Sequence, residues 1–281
     1  MGILGVDLGG TNVRIGLIEN DSLARLEAIP ITRSDNADDV VKDISNLIER
    51  FPMNIVSGIG VGVPSVVDVK KGIVYDVQNI PSWKEVHLKE ILQKKFRVPV
   101  YVNNDANCFA VGEKYFGKAK HYENIVGLII GTGMGAGLVI NGKLYAGKNC
   151  GAGEFGTIAY REKNYEYYCS GQFFINEYHA TGEELARKAA TGDIEAKNIY
   201  SKFGMNLGQA IKLIMYAVDP EIIVLGGSVS KSFPLFKNEM FESISDFAYS
   251  RSIQNIKIEV SEVENVAILG AAALYYDEAA K

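Results

Sequence analysis

The 281-residue chain predicts an α/β protein built as two related lobes around a cleft. Three observations carry that reading. Residues 3–18 read as strand, glycine turn, strand, and the same theme returns at 124–147. After each pair, segments of helical and strand period follow, and no low-complexity linker separates the halves.

Taken in order, GILGVDLGGTNVRIGLIEN sets two β-rich runs, 3–8 and 13–18, on either side of Gly9-Gly10-Thr11, which makes a hairpin. Residues 37–50 carry Val40, Val41, Ile44, Leu47 and Ile48 on one helical face. A strand at 55–63 ends at Pro64, a helix follows at 88–96, and a strand at 98–102 stops in NNDAN, residues 103–107. From Asn124, NIVGLIIGTGMGAGLVINGKLYAG is again strand, glycine-rich turn, strand. Residues 151–182 are rich in Gly, Tyr and Phe and less regular. Helices resume at 183–190 and 196–218, and Asp219-Pro220 breaks the second. A short buried strand at 221–225 ends in Gly226-Gly227, residues 256–260 form another strand, and 267–281 a terminal helix. The first lobe is expected to span 1–117, joined by the terminal helix 266–281, and the second 118–265, with a hinge between them.

With 47% hydrophobic and 22% charged residues the composition is that of a globular protein. The formal net charge of -5 provides no basic footprint for nucleic acid. Cys108, Cys150 and Cys169 are far apart, which argues against a disulfide framework or a thiolate metal site. The apolar stretch 126–140 is too short and Gly-rich to span a bilayer, and the start shows neither a basic leader nor a cleavage pattern. A cytoplasmic protein acting on small molecules, with no membrane and no nucleic-acid partner, is the expectation.

In DLGGTN the glycine pair lets backbone N–H groups approach a phosphate, with Thr11 and Asn12 as further donors. Asp7, at the strand end, is placed to hold a magnesium ion directly or through water; the plain alternative is a hairpin turn with a capping aspartate. The second turn, Gly131 to Gly135, lacks the following helix that a dinucleotide fingerprint requires. Two glycine-turn hairpins facing one nucleotide are instead the arrangement of actin-like ATPases and sugar kinases, a duplicated ribonuclease H-like fold. Asp105 follows a strand of the first lobe, where α/β proteins bind ligands, and could take a proton from a hydroxyl or cap the next helix, or do both.

On these segments the chain resembles the ROK family of repressors and sugar kinases over nearly its whole length. The resemblance is carried by DLGGTN (7–12), GVGVPSVVD (60–68), NIPSW (79–83), VNNDANC (102–108), GTGMGAGLVINGKLYAG (131–147), GAGEFG (151–156) and VLGGSVS (224–230). It implies an ATP- and magnesium-dependent kinase acting on the C6 hydroxyl of a hexose, glucose first. N-acetylmannosamine, N-acetylglucosamine, fructose, mannose and allose are the alternatives. It implies that Asn79, Asn104, Asp105 and Glu154 contact the sugar, that Asp105 is the base, and that Glu177 is the later sugar-binding glutamate. Gly9, Gly10, Thr11, Asn12, Thr132, Gly133 and Gly227 would line the ATP site, and a homodimer is the usual assembly.

Two departures stand out. Relatives carry a histidine after the GE-x-G stretch and a CxCGxxGC cluster that together bind structural zinc. Here Thr157 replaces the histidine and YYCSGQFF holds only Cys169, which implies a zinc-free branch. Either Phe173, Phe174 and the tyrosines of YEYY pack in place of the metal, or those tyrosines lie on an exposed loop. His87, His121 and His179 share no ligand spacing and read as surface or satisfied polar positions, with His179, two residues after Glu177, the one placed to approach the sugar if that loop folds over the cleft. Trp83 is expected to pack the lobe edge. Two rival readings remain. A sugar-responsive repressor would carry a helix-turn-helix ahead of DLGGT, where only six residues stand, and a regulatory actin-like ATPase would not need the polyol-binding set Asn79, Asn104, Asp105 and Glu154.

Overall fold

The computed structural model describes residues 2–77 and 79–279. The chain opens as a meander of β1 (Gly2–Leu8), β2 (Asn12–Glu19) and β3 (Ser22–Pro30), followed by α1 (Ala37–Ile48) and β4 (Val56–Val63). A side sheet of β5 (Val66–Asp68), β6 (Ile73–Tyr75) and β7 (Glu85–Val86) precedes α2 (Leu88–Phe96), β8 (Val100–Asn104) and α3 (Asp105–Phe116). The second half begins with β9 (Ile125–Ile130), β10 (Met134–Ile140) and β11 (Lys143–Leu144). Between them and the last sheet strands lie β12 (Ala159–Tyr160), β13 (Lys163–Asn164) and four helices: α4 (Tyr165–Cys169), α5 (Gly171–Tyr178), α6 (Gly182–Ala190) and α7 (Ile194–Val218). The chain then runs through β14 (Ile222–Gly226), α8 (Phe233–Ile244), α9 (Ser250–Asn255), β15 (Lys257–Val260) and α10 (Val266–Ala279).

The two main sheets have the orders β3-β2-β1-β4-β8 and β11-β10-β9-β14-β15. In each, the first strand of the half pairs antiparallel with the second and parallel with the fourth strand of the series, β1 with β2 and β4, β9 with β10 and β14. The outer strands β8 and β15 continue in parallel. The duplication read from two hairpins is therefore a duplication of whole sheets, and the fold is the actin-like one.

The sheets are joined through two helices that lie unusually close to them. A Cβ on Gly5 or Gly60 would fall 2.0 and 1.7 Å from the carbonyl oxygens of Ile268 and Ala271, so α10 rests its backbone on β1 and β4. That contact explains why otherwise apolar central strands carry glycine. On the other side, a Cβ on Gly137 of β10 would meet the Ala106 carbonyl of α3 at 2.3 Å. α3 thus touches the second sheet while growing directly out of β8 of the first, and its N-terminus lies in the crevice between them.

Several elements differ from the sequence expectation, each for a local reason. The strand expected at 98–102 is β8, shifted two residues on, because Pro99 has no N–H to donate and its carbonyl instead accepts from Ile59 at 2.9 Å. β3 was not expected: it is an edge strand with no buried residue, so it lacks the apolar run that marks a core strand. α8 was also missed, since Pro234 reads as a breaker, although the first helical turn tolerates it. Residues 151–182, expected to be irregular, contain α4 and α5, each started by a side chain that accepts from the third or second following residue, Asn164 from Tyr167 and Ser170 from Gln172. Residues 280–281 of the terminal helix expected at 267–281 lie outside the described residues. Trp83 is fully buried and its indole N–H donates to the Ala37 carbonyl at 3.0 Å, so it packs the first lobe.

Candidate active site

Asp105 begins α3, where Asn104 is the N-cap and accepts from the Asn107 N–H at 2.8 Å. The Ala106 N–H donates to Asp105 Oδ1 at 2.8 Å. Behind them, Asn103 Oδ1 accepts from its neighbour's N–H and from Asn107 Nδ2, both at 2.9 Å, and from the Cys150 thiol at 3.3 Å. This buried network fixes the turn between β8 and α3, and with it the direction of the Asp105 carboxylate. The cleft in front, about 300 Å³, is lined by Ser65, Val66, Asp76, Asn104, Asp105, Cys150 and Glu154 with Pro64.

Asp105 faces open cleft on one side and is closed in by protein elsewhere. That desolvation pushes its carboxyl above the usual aspartate range against the opposing Ala106 N–H bond, and the charges of Asp7 and Glu154 add to the rise. Glu154 is raised too, by burial first and then by the charge of Glu166. A carboxylate with a raised pKa is a stronger proton acceptor at neutral pH than an ordinary aspartate, and its geometry aims it at the cleft.

The first hairpin turn forms one rim. Gly9 N–H donates to the Asn12 carbonyl at 2.9 Å, leaving Thr11 and Asn12 exposed. A Cβ on Gly10 would lie 2.6 Å from Asn79 Cβ, so Asn79 packs on this turn and depends on the glycine there. Asp7 is paired with Arg14 directly across the hairpin, its Oδ2 accepting from Nε at 3.0 Å and from the terminal nitrogen at 2.5 Å. Asp7 Oδ1 has no hydrogen-bond donor among the described residues. One free carboxylate oxygen beside a phosphate-sized turn, with Asp105 near, fits a hydrated magnesium ion, which takes few protein ligands.

The second turn forms the other rim and is tied down from outside. The Gly131 carbonyl accepts from Gly171 N–H at 2.7 Å, the Thr132 carbonyl from the Ser170 hydroxyl at 3.1 Å, and Met134 N–H donates to Glu166 Oε2 at 3.0 Å. Gly133 sits against Glu166, and Gly227 has φ +87° with its Cα packed on the Ile130 carbonyl, where a Cβ would come within 2.3 Å. The Gly227 turn therefore lies on the base of the second hairpin.

Of the residues named from sequence, Asn104, Asp105 and Glu154 share one cleft, with Asp7 close enough to influence Asp105. Glu177 does not join them. It is exposed on α5, where it accepts from the Tyr167 hydroxyl at 2.8 Å. The glutamate whose charge acts on Glu154 is Glu166, which accepts from Gln172 at 3.0 Å. The sequence hid it inside YEYY, where a lone acid among aromatics was the available signal. The aromatic alternative holds for that segment: Tyr160 stacks on Tyr165 at 4.4 Å, Tyr168 meets Tyr160 edge-on, and Phe173 and Phe174 pack with Phe203. Cys169 is buried, and the described residues hold no group of three or more His, Cys, Asp or Glu side chains arranged for a metal. Thr157 donates its hydroxyl to the Glu154 carbonyl at 2.8 Å, bracing Glu154 from its own turn. His87 and His179 are both exposed.

Residues 3–278 match the family model described as ROK family. The chain belongs to the ROK family. Similar relatives include the N-acetyl-D-glucosamine kinase of Vibrio parahaemolyticus, 30% identical over 96% of this chain and 98% of that protein. The glucokinase of Thermotoga maritima is 28% identical over 97% and 96%, and the xylose repressor of Bacillus subtilis is 29% identical over 93% of this chain but 72% of the repressor. Among solved structures, the ROK hexokinase of Thermus thermophilus superposes with a TM-score of 0.84 at 25% identity, covering 100% of this chain and 99% of that one. No helix of the described residues is long and apolar enough to cross a membrane.

Proposed function

We propose that this ROK sugar kinase uses ATP to phosphorylate the C6 hydroxyl of a hexose, glucose first, with N-acetylglucosamine as the principal alternative. The observation that carries the reading is Asp105: a carboxylate fixed by the β8–α3 turn, raised in pKa, and opening on a polar cleft between two glycine hairpins. Asn104 and Glu154 on the cleft wall and Asn79 on the hairpin would orient the sugar, with Glu166 taking the part first given to Glu177. Gly9, Gly10, Thr11 and Asn12 would cradle phosphate from the first lobe, and Thr132, Gly133 and Gly227 from the second. Asp7 would hold magnesium, which when bound would supply positive charge to offset that of the ATP phosphates.

The protein's own work is then positional. Asp105 accepts the hydroxyl proton while the flanking turns hold the acceptor in line, and closure of the lobes excludes water from the cleft. A homodimer in the cytoplasm completes the reading. The repressor relatives are the competing case, and the acid and base set in the cleft favours the kinase.

The test is an ADP-release assay with Mg-ATP against a panel of hexoses and N-acetylhexosamines, on wild type and Asp105→Ala. One sugar should give turnover that drops by about 10³-fold in the variant, the scale of a lost general base. Near-normal turnover by Asp105→Ala would rule out its assignment, and silence across the panel would rule out the kinase.

A further inference from the structure

We propose that Arg33 is the cation that receives the charge of the phosphoryl group in transit. The inference rests on the kinase reading above and assigns that site a residue none of the motifs contains. A cavity of about 860 Å³ borders the first hairpin turn, and Gly10, Thr11, Asn79 and Arg33 all line it. It is the space that a group held on the hairpin would occupy.

The loop from β3 to α1 is built to present Arg33 there. Ile31 N–H donates to the Thr11 carbonyl at 3.0 Å, stapling the loop to the hairpin. On one side of Arg33, Thr32 is held to Asp43 through its N–H at 2.6 Å and its hydroxyl at 3.2 Å. On the other, the Ser34 hydroxyl donates to Asp39 at 2.8 Å. Both neighbours are pinned to α1, whereas Arg33 has no hydrogen bond or ion pair among the described residues.

Charge explains why such a residue is needed. The other guanidinium at this turn, Arg14, is taken by Asp7. The cleft otherwise gathers Asp76, Asp105 and Glu154, and Asp35 also lines the cavity beside Arg33. Phosphoryl transfer places negative charge on the equatorial oxygens of the moving group, and catalysis depends on donors aimed at them. In the step, the sugar oxygen bonds to the γ-phosphorus. The bond from that phosphorus to the bridging oxygen breaks, its electron pair leaving on ADP, and the hydroxyl proton passes to Asp105. Arg33 donates N–H groups to the equatorial oxygens as this happens.

Arg33→Gln removes the charge at similar length on an exposed loop, so its melting temperature should match the wild type. With the preferred sugar, kcat is expected to fall by about 10²-fold, while calorimetric affinities for ADP and for sugar stay within about threefold. Binding of ADP with aluminium fluoride and sugar, a mimic of the group in transit, should weaken by at least about tenfold. Free guanidinium should restore turnover to Arg33→Ala. A raised KM at unchanged kcat, or turnover and mimic binding both near wild type, would overturn the assignment and leave the kinase reading standing. Wild-type protein that phosphorylates no sugar would overturn the kinase reading itself and this inference with it.

Discussion

Each hairpin turn closes on itself with a backbone bond, Gly9 N–H to the Asn12 carbonyl and Gly131 N–H to the Gly133 carbonyl, but the outside ties differ: the first receives the Ile31 N–H on the Thr11 carbonyl, the second is held through Glu166, Ser170 and Gly171, 32 and more residues further on. The two turns belong to sheets of the same strand order. What differs is where their geometry is stored. The first takes its outside tie from the end of the neighbouring strand, and Thr11 and Asn12 stay exposed. The second takes three ties from the aromatic-rich segment that supplies Glu166, so the shape of its backbone depends on that segment. The shape of the second turn is thereby coupled to the packing of α4 and α5.

Glycine substitutions should break this symmetry most sharply. Gly227→Ala places a Cβ 2.3 Å from the Ile130 carbonyl at a positive φ and should destabilise the protein by about 3 kcal/mol in urea unfolding. Gly9→Ala, whose nearest contact would be 3.3 Å from the Asn12 carbonyl, should cost under about 1 kcal/mol. Equal losses would mean that both turns depend on distant support.

Glu166→Ala should cost about 1–3 kcal/mol, because the part-buried Met134 N–H loses its acceptor, and should raise the KM for sugar. Thr11→Ala, on the exposed turn, should stay within about 0.5 kcal/mol of wild type. A silent Glu166→Ala would show that the second turn is held by Ser170 and Gly171 alone.

The smallest effect is on pH dependence. Asp105 must be ionised to accept a proton, and its pKa is raised, so turnover should fall with acid at a higher pH than an ordinary aspartate would give. Glu154→Gln removes one of the charges behind that rise and should move the acid limb of kcat/KM to lower pH. Stability runs the other way. A carboxyl raised in the folded state binds its proton there first, so its contribution to stability grows as pH falls through the folded pKa and levels off below the unfolded one. A limb that does not move in Glu154→Gln would show that burial alone sets the Asp105 pKa.

The sequence by itself determined the two hairpins, most of the central strands, the position of Asp105 at a strand end and the family. Those features rest on local physics: glycine where the chain turns, apolar period where a face is buried, and an acid where α/β strands meet ligands. It could not show that α10 lies flat on β1 and β4, although Gly5 and Gly60 were visible, because a glycine does not name the backbone that approaches it. It placed Glu177 at the sugar by counting back from Ala180-Thr181-Gly182, whereas in the fold Glu177 is exposed and bonded to Tyr167, and Glu166 is the acid whose charge acts on Glu154. That choice depends on how α4 and α5 pack on the second sheet, a matter of contacts between residues far apart in the chain, which no local pattern encodes. Only the tertiary structure also brings the loop holding Arg33 against Gly10 and Thr11, since the bond from Ile31 to Thr11 is a feature of the sheet edge.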